Sequence, residues 1–188
     1  MTSAEVLDVF RQEQALLDGH FILRSGMHSR QYFQCALALQ KMPVVERLGA
    51  ALARQVRSLN PQTVVAPAMG GLVIGQEVAR QLGCRFIFVE KENNQLVLRR
   101  GFRIQPGERI LVVEDVVTQG GRAKETIEIV RRHQGEVVAV AMLVDRSNGT
   151  AQLGVPSVSL VQMNVETFSR DQLPPDLAKI PAVKPGSK

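Results

Sequence analysis

The chain has 188 residues, 45% of them hydrophobic and 22% charged, an ordinary globular composition and a length that suits one domain with a full core. No run approaches the ~18 uninterrupted apolar residues of a membrane helix, and the opening Met1-Thr2-Ser3-Ala4-Glu5 is acidic before it is apolar, so neither a membrane partner nor a secretory leader is expected. A net charge of +5 suits nucleic acid and a polyanionic small substrate equally well, but aromatics make up only 4% of the chain and no basic stretch is interleaved with stacking rings, which argues against a single-strand nucleic-acid platform; charge alone does not decide the partner. The two cysteines, Cys35 and Cys84, lie far apart among small or apolar neighbours and read as reduced thiols of a cytoplasmic protein.

Residues 4–17 place Val6, Val9, Phe10, Glu13, Leu16 and Leu17 at helical spacing and predict an opening helix. Residues 20–39 then read as two short strands around Ser25-Gly26, and Pro43 opens a second helix that Asn60-Pro61 ends. Four short apolar runs follow, TVVAPA (63–68), RFIFVE (85–90), RILVVED (109–115) and VVAVAMLVD (137–145). They are rich in β-branched residues and lack polar alternation, as in strands covered on both faces. A helix closed by Gly83 follows the first run, and one closed by Gly135 joins the last two. Strands separated by helices imply crossovers, so the expected fold is α/β, an open doubly wound parallel sheet with ligands beyond the carboxyl ends of its strands. The polar, then basic stretch 92–108 interrupts this rhythm and reads as a hairpin or flap beside the strand ends. The tail from Pro174, with four prolines, reads as an extended arm on the body. One domain is expected over 1–188, with a small hood from about residues 1–40 plus part of the tail, and a core over about 41–165.

The segment ILVVEDVVTQGGRAKETI (110–127) carries the chemistry. Glu114 and Asp115 are expected to emerge, exposed and adjacent, where the strand leaves the sheet, suited to accepting hydrogen bonds from vicinal hydroxyls. The Thr118-Gln119-Gly120-Gly121 turn can aim backbone amides at one point, and a helix beginning near Arg122 adds its N-terminal dipole, which favours an anion. Carboxylates for a diol one short loop from amides for a phosphate fit a ribose 5-phosphate.

This segment resembles the signature of the type I phosphoribosyltransferases, hydrophobic residues followed by two acids and a Thr/Gly-rich phosphate loop, with complete spacing over 110–121. Gln119 stands where a small residue is common, and Arg122 where Ser or Thr is usual. The resemblance implies binding of 5-phosphoribosyl 1-diphosphate by Glu114, Asp115, Val116, Val117, Thr118, Gln119, Gly120, Gly121 and Arg122. Magnesium is implied as cofactor, held mainly by the diphosphate with no direct protein ligands. VVAPAMGGLVIGQEVA (64–79) resembles the family's pyrophosphate loop, assigning Met69, Gly70 and Gly71; some orotate enzymes carry a lysine at the position of Gly70.

HFILRSGMHSRQYFQCA (20–36) is similar to the hood of the orotate phosphoribosyltransferases, where a basic residue and an aromatic pair border the base. Arg24, Tyr32 and Phe33 match those positions. Arg146 in LVDRSNG (143–149) matches the arginine placed on the orotate carboxylate, for which a guanidinium fork donates two parallel hydrogen bonds; Thr118 joins this base set. LRRGF and the IPAVKPGS tail resemble a short-flap subgroup. Lys91 aligns with the lysine that reaches a neighbouring subunit's site, which implies a homodimer, and Lys91, Arg99 and Arg100 are the cations available to cover the diphosphate during catalysis. The implied reaction joins orotate to ribose 5-phosphate. A purine phosphoribosyltransferase is the alternative within the class, and a non-catalytic regulatory protein on the same fold the alternative outside it.

Overall fold

The computed structural model describes residues 1–23 and 25–185. Arg24, assigned above to the base, lies outside the described residues. The larger of two sheets contains Thr63–Pro67 (β3), Arg85–Glu92 (β4), Gln95–Leu98 (β5), Arg109–Val117 (β6), Glu136–Asp145 (β7) and Ser157–Gln162 (β8), in the order β5-β4-β3-β6-β7-β8. β5 is antiparallel to β4, and every other pairing is parallel.

Each strand sends alternate side chains to opposite faces. Leu111 and Val113 of β6 join the cluster under Ser3–Gln12 (α1), Met42–Val56 (α3) and Gly71–Leu82 (α4), which includes Phe10, Leu48, Leu52 and Ile74. Ile110 and Val112 join the other cluster, with Ile127 and Val130 of Gly121–Arg132 (α5). Helices thus cover both faces, and the uninterrupted burial of β3 explains its unbroken apolar run. The expected doubly wound sheet is present.

The chain leaves β3 for β4 on one side and leaves β6 for β7 on the other. β3 and β6 are neighbours, so the strand order reverses between them, and a crevice opens beyond their carboxyl ends. The sheet therefore delivers 68–71 and 115–121 to one place.

A second sheet pairs Leu16–Ile22 (β1), His28–Phe33 (β2) and Thr167–Phe168 (β9). It gathers the residues expected in the hood with a return of the tail. Val183 bridges Phe21, exchanging backbone hydrogen bonds with His20 and Ile22 at 2.8 Å each. Arg30 holds Asp176, in the short helix Pro175–Ala178 (α6), through a two-toothed contact at about 3.0 Å, and Glu166 at 2.9 Å.

Three boundaries differ from expectation. The opening helix stops at Gln12, and Leu16 and Leu17 belong to β1. Cys35–Leu39 (α2) forms a short helix where strand was expected to continue, and β8 extends the sheet by one strand beyond those read from the sequence.

Candidate active site

Two loops meet at the crevice. After β3, residues 68–70 lead straight into α4, whose N-terminus has no side-chain cap. The Ala68–Met69 peptide is cis. After β6, Thr118 and Gln119 are exposed and Gly120 starts α5 with φ +78, again with no side-chain cap. Unoccupied N–H groups at the start of a 12-residue helix suit an anion. Gly120 is required twice over: its φ is left-handed, and a Cβ there would lie 2.5 Å from Leu153 Cδ2.

The acid pair departs from the expectation that both carboxylates are exposed. β6 continues through Val117, so Glu114 is still inside the sheet and only 4% exposed, while Asp115 is half-buried. Neighbours on a strand point to opposite faces. Asp115 thus lies on the α4 side against Gly70, and Glu114 on the side of α5. Burial first, and the nearby Asp115 charge second, push the Glu114 carboxyl up to about 8, opposed by Arg122. Burial also raises Asp115, opposed by the Val116 N–H, which donates to Oδ1 at 2.8 Å, and by Arg122. Arg122 joins the two loops, since its Nη1 donates to the Ala68 carbonyl at 3.1 Å.

The hood contributes Tyr32. Burial raises its phenol, and the charges of Arg146 and Asp115 both reach it. The other member of the aromatic pair goes elsewhere. Phe33 points to the opposite face of β2, is 6% exposed, and packs edge-on against Phe10 with ring centres 5.7 Å apart. The expectation that both rings border the base is corrected: Phe33 is core.

Arg146 follows β7. Its backbone N–H donates to the Val117 carbonyl at 2.8 Å, tying the loop after β7 to the end of β6. Its side chain is half-buried, forms no hydrogen bond or ion pair among the described residues, and has a buried Nε with no partner. Desolvation lowers its pKa, while Tyr32 and Cys35 act in the other direction. A guanidinium taken out of water without an acceptor is poised for an incoming anion.

The flap cations separate. Residues 92–95 form a two-residue turn at Asn93-Asn94, both with positive φ, and β5 pairs back on β4. Arg100 grips Glu90 with two bonds of 2.9 Å, and Arg99 pairs with Glu92 at 2.7 Å. Lys91 is exposed and has no ion-pair partner among the described residues. It stands two residues beyond Val89, whose carbonyl accepts from the Ala68 N–H at 2.8 Å. The hairpin is also pinned to α5, because Glu125 Oε1 accepts from the Leu96 N–H at 2.6 Å. The sequence reading passed over Glu90 and Glu92, which hold arginines at the other end of their own hairpin, and Glu125, which reaches that hairpin from α5.

Comparison with known proteins agrees with this geometry. Residues 36–167 match the phosphoribosyl transferase domain. The chain is 50% identical to an orotate phosphoribosyltransferase of Desulforamulus reducens over 188 residues, covering 100% of this chain and 98% of the relative. It belongs to the orotate phosphoribosyltransferase family. Among solved structures, the orotate phosphoribosyltransferase of Aeropyrum pernix aligns with a TM-score of 0.68 at 27% identity, over 83% of this chain and 92% of that one. An adenine phosphoribosyltransferase of Rhodothermus marinus aligns with a TM-score of 0.69 at 23% identity, over 85% and 99%. That second likeness shows the fold alone.

No described helix is long and apolar enough to cross a membrane. Among the described residues, no three His, Cys, Asp or Glu side chains gather as a metal cluster. Of the two acids, Asp115 faces the crevice beside Gly70, a hard oxygen donor of the type magnesium takes while keeping most of its shell from phosphate and water.

Proposed function

We propose that the protein transfers the phosphoribosyl group of 5-phosphoribosyl 1-diphosphate to orotate, giving orotidine 5′-phosphate and pyrophosphate. The bond from ribose C1′ to the diphosphate oxygen breaks, and a bond from C1′ to the orotate ring nitrogen forms. The observation that carries the choice of base is Arg146, a desolvated guanidinium with an unpartnered Nε beside Tyr32. Orotate offers it a planar carboxylate; a purine offers none.

In this reading the open N-terminus of α5, residues 118–121, holds the 5-phosphate with Arg122 at its rim. Residues 69–71 face the diphosphate. Asp115 and Glu114 hold the ribose hydroxyls, and the charge of Asp115 stabilises positive charge developing at C1′, a contribution of preorganised electrostatics. At neutral pH Glu114 is mainly protonated before substrate binds and can donate a hydrogen bond as well as accept one. Magnesium would be held mainly by the diphosphate, where it would supply charge neutralisation for the leaving group. Arg146 and Tyr32 orient orotate, which converts the encounter into a positioned reaction. The same reading takes the enzyme as a cytoplasmic homodimer.

The test is pyrophosphate release from 5-phosphoribosyl 1-diphosphate and magnesium with orotate, adenine or hypoxanthine. Orotate alone should react. Arg146→Lys should raise the orotate KM about tenfold or more, since an ammonium cannot reproduce the fork, with little change for the other substrate. Turnover of a purine but not of orotate would overturn the reading.

A further inference from the structure

We propose that Asp145 is a positioning residue for orotate recognition, acting by fixing the loop that presents Arg146. This rests on the reading of Arg146 given above.

Asp145 is the last residue of β7 and is buried. An acid in that place must have its oxygens satisfied, and here every acceptor contact goes into the loop that follows. Oδ1 accepts from the Ser147 N–H at 2.8 Å and from the Ser147 hydroxyl at 2.6 Å. Oδ2 accepts from the Gly149 N–H at 2.9 Å. The loop bends sharply around this carboxylate, with Asn148 at φ +53 and Gly149 at φ +79. Ser147 carries the order further, since its hydroxyl oxygen accepts from the Ala151 N–H at 3.0 Å and its carbonyl accepts from the Thr150 hydroxyl at 2.7 Å. From outside the loop, the Met163 N–H donates to the Asp145 carbonyl at 2.9 Å, and Ser147 bridges Asn164.

The side chain of Arg146 takes no part in this arrangement. Its backbone is fixed on both sides, by Val117 and by the Asp145 carboxylate through Ser147, while its guanidinium projects unpartnered. A long side chain loses much rotational freedom when it grips a ligand, so fixing its stem in advance lowers the cost of that grip. The loop is built to hold Arg146, and Asp145 is its centre.

Asp145→Asn keeps the size but turns an N–H₂ toward a backbone donor, so at least one of the three contacts is lost. We expect the orotate KM to rise about fivefold or more while the KM for 5-phosphoribosyl 1-diphosphate stays within about twofold. The double variant Asp145→Asn/Arg146→Ala should be no worse for orotate than Arg146→Ala alone, because coupled residues are not additive. Ser147→Ala, which removes only the hydroxyl, supplies the same split if Asp145→Asn does not fold. An unchanged orotate KM in Arg146→Ala would overturn the reading of Arg146 and this role with it. A large Arg146→Ala effect, with Asp145→Asn and Ser147→Ala changing both KM values equally or only the melting temperature, would overturn the positioning role alone.

Discussion

The carboxylate of Asp115 occupies the notch left by Gly70: a Cβ built on that glycine would lie 2.6 Å from Oδ1 and 2.7 Å from Oδ2. The two loops of the crevice are therefore in direct register, one supplying the acid and the other the space for it. The backbone of Gly70 is helical, at φ −58 and ψ −42, so any residue could adopt it. Space, not conformational freedom, keeps glycine there.

Gly70→Ala should fold with little change in melting temperature, since no backbone strain is introduced. It should displace Asp115 and lower kcat/KM by about tenfold or more, the scale of a loosened active-site contact. Wild-type kinetics in this variant would mean that the position of Asp115 is not critical.

Asp115→Asn keeps the size and removes the charge. Turnover should fall by about 10²–10³-fold, or roughly 3–4 kcal/mol of transition-state stabilisation. Steady-state kinetics on the folded variant check it, and an unchanged kcat/KM would remove the acid pair from the mechanism.

Glu114 gives a pH dependence whose sign is opposite to that of most carboxylates. Its folded carboxyl sits at about 8, whereas an unfolded glutamate titrates near about 4.3. Between these values the folded chain holds a proton that the unfolded chain has lost, so stability falls as pH rises through the window. The raised Asp115 acts in the same direction. Glu77, Glu90, Glu108 and Asp176 are lowered by their partners, so their contributions are lost only below the ordinary carboxylate range and leave this window clear. The melting temperature of the ligand-free protein should drop by about 3 °C or more from pH 5 to pH 8, and Glu114→Gln should flatten that slope. Superimposable curves for the two proteins would show that burial does not hold the proton.

The sheet and its crevice were legible because long apolar runs and Gly-rich turns leave a direct mark on the sequence. Helix ends were less so. α1 and α5 both end in a left-handed residue followed by an N–H that reaches back to close the last turn, Ala15 to Phe10 and Gly135 to Val130. That residue is Gln14 at φ +53 and Gln134 at φ +62, not the glycine that usually marks such a stop. Hence the opening helix read too long, through Leu16 and Leu17. Gly83 ends α4 by the same device and was visible. At the site, period-2 alternation along β2 and β6 decided what local motif reading could not: Tyr32 faces the charges while Phe33 is core, and Glu114 is buried inside the sheet while Asp115, half-buried, faces Gly70. Asp145 was hidden for another reason. Its acid is indistinguishable in sequence from any strand-end carboxylate, and only its three loop contacts single it out.

The flap cations can now be ranked. Pyrophosphate departs with heavy negative charge, and a cation covering it must be available when it does. Arg99 and Arg100 are already neutralised by Glu92 and Glu90 on the same hairpin, and Arg100 also lies 5.7 Å over the Phe88 ring. To reach the diphosphate, either would have to leave its carboxylate. Lys91 has no such partner among the described residues and follows by two residues Val89, whose carbonyl accepts from the Ala68 N–H. Lys91→Ala should therefore lower kcat by about tenfold, roughly 1.4 kcal/mol, without moving the melting temperature. Arg99→Ala and Arg100→Ala should stay within about twofold of wild type, because exposed pairs of this kind contribute only about 0–1 kcal/mol to stability. Mixing Lys91→Ala with Glu114→Gln subunits tests where the lysine acts. Activity above that of either variant alone would place Lys91 over a neighbouring subunit's site, and no recovery would place it over its own. If Arg99→Ala or Arg100→Ala is the damaging variant and Lys91→Ala is not, the ion pairs open during turnover and this ranking is wrong.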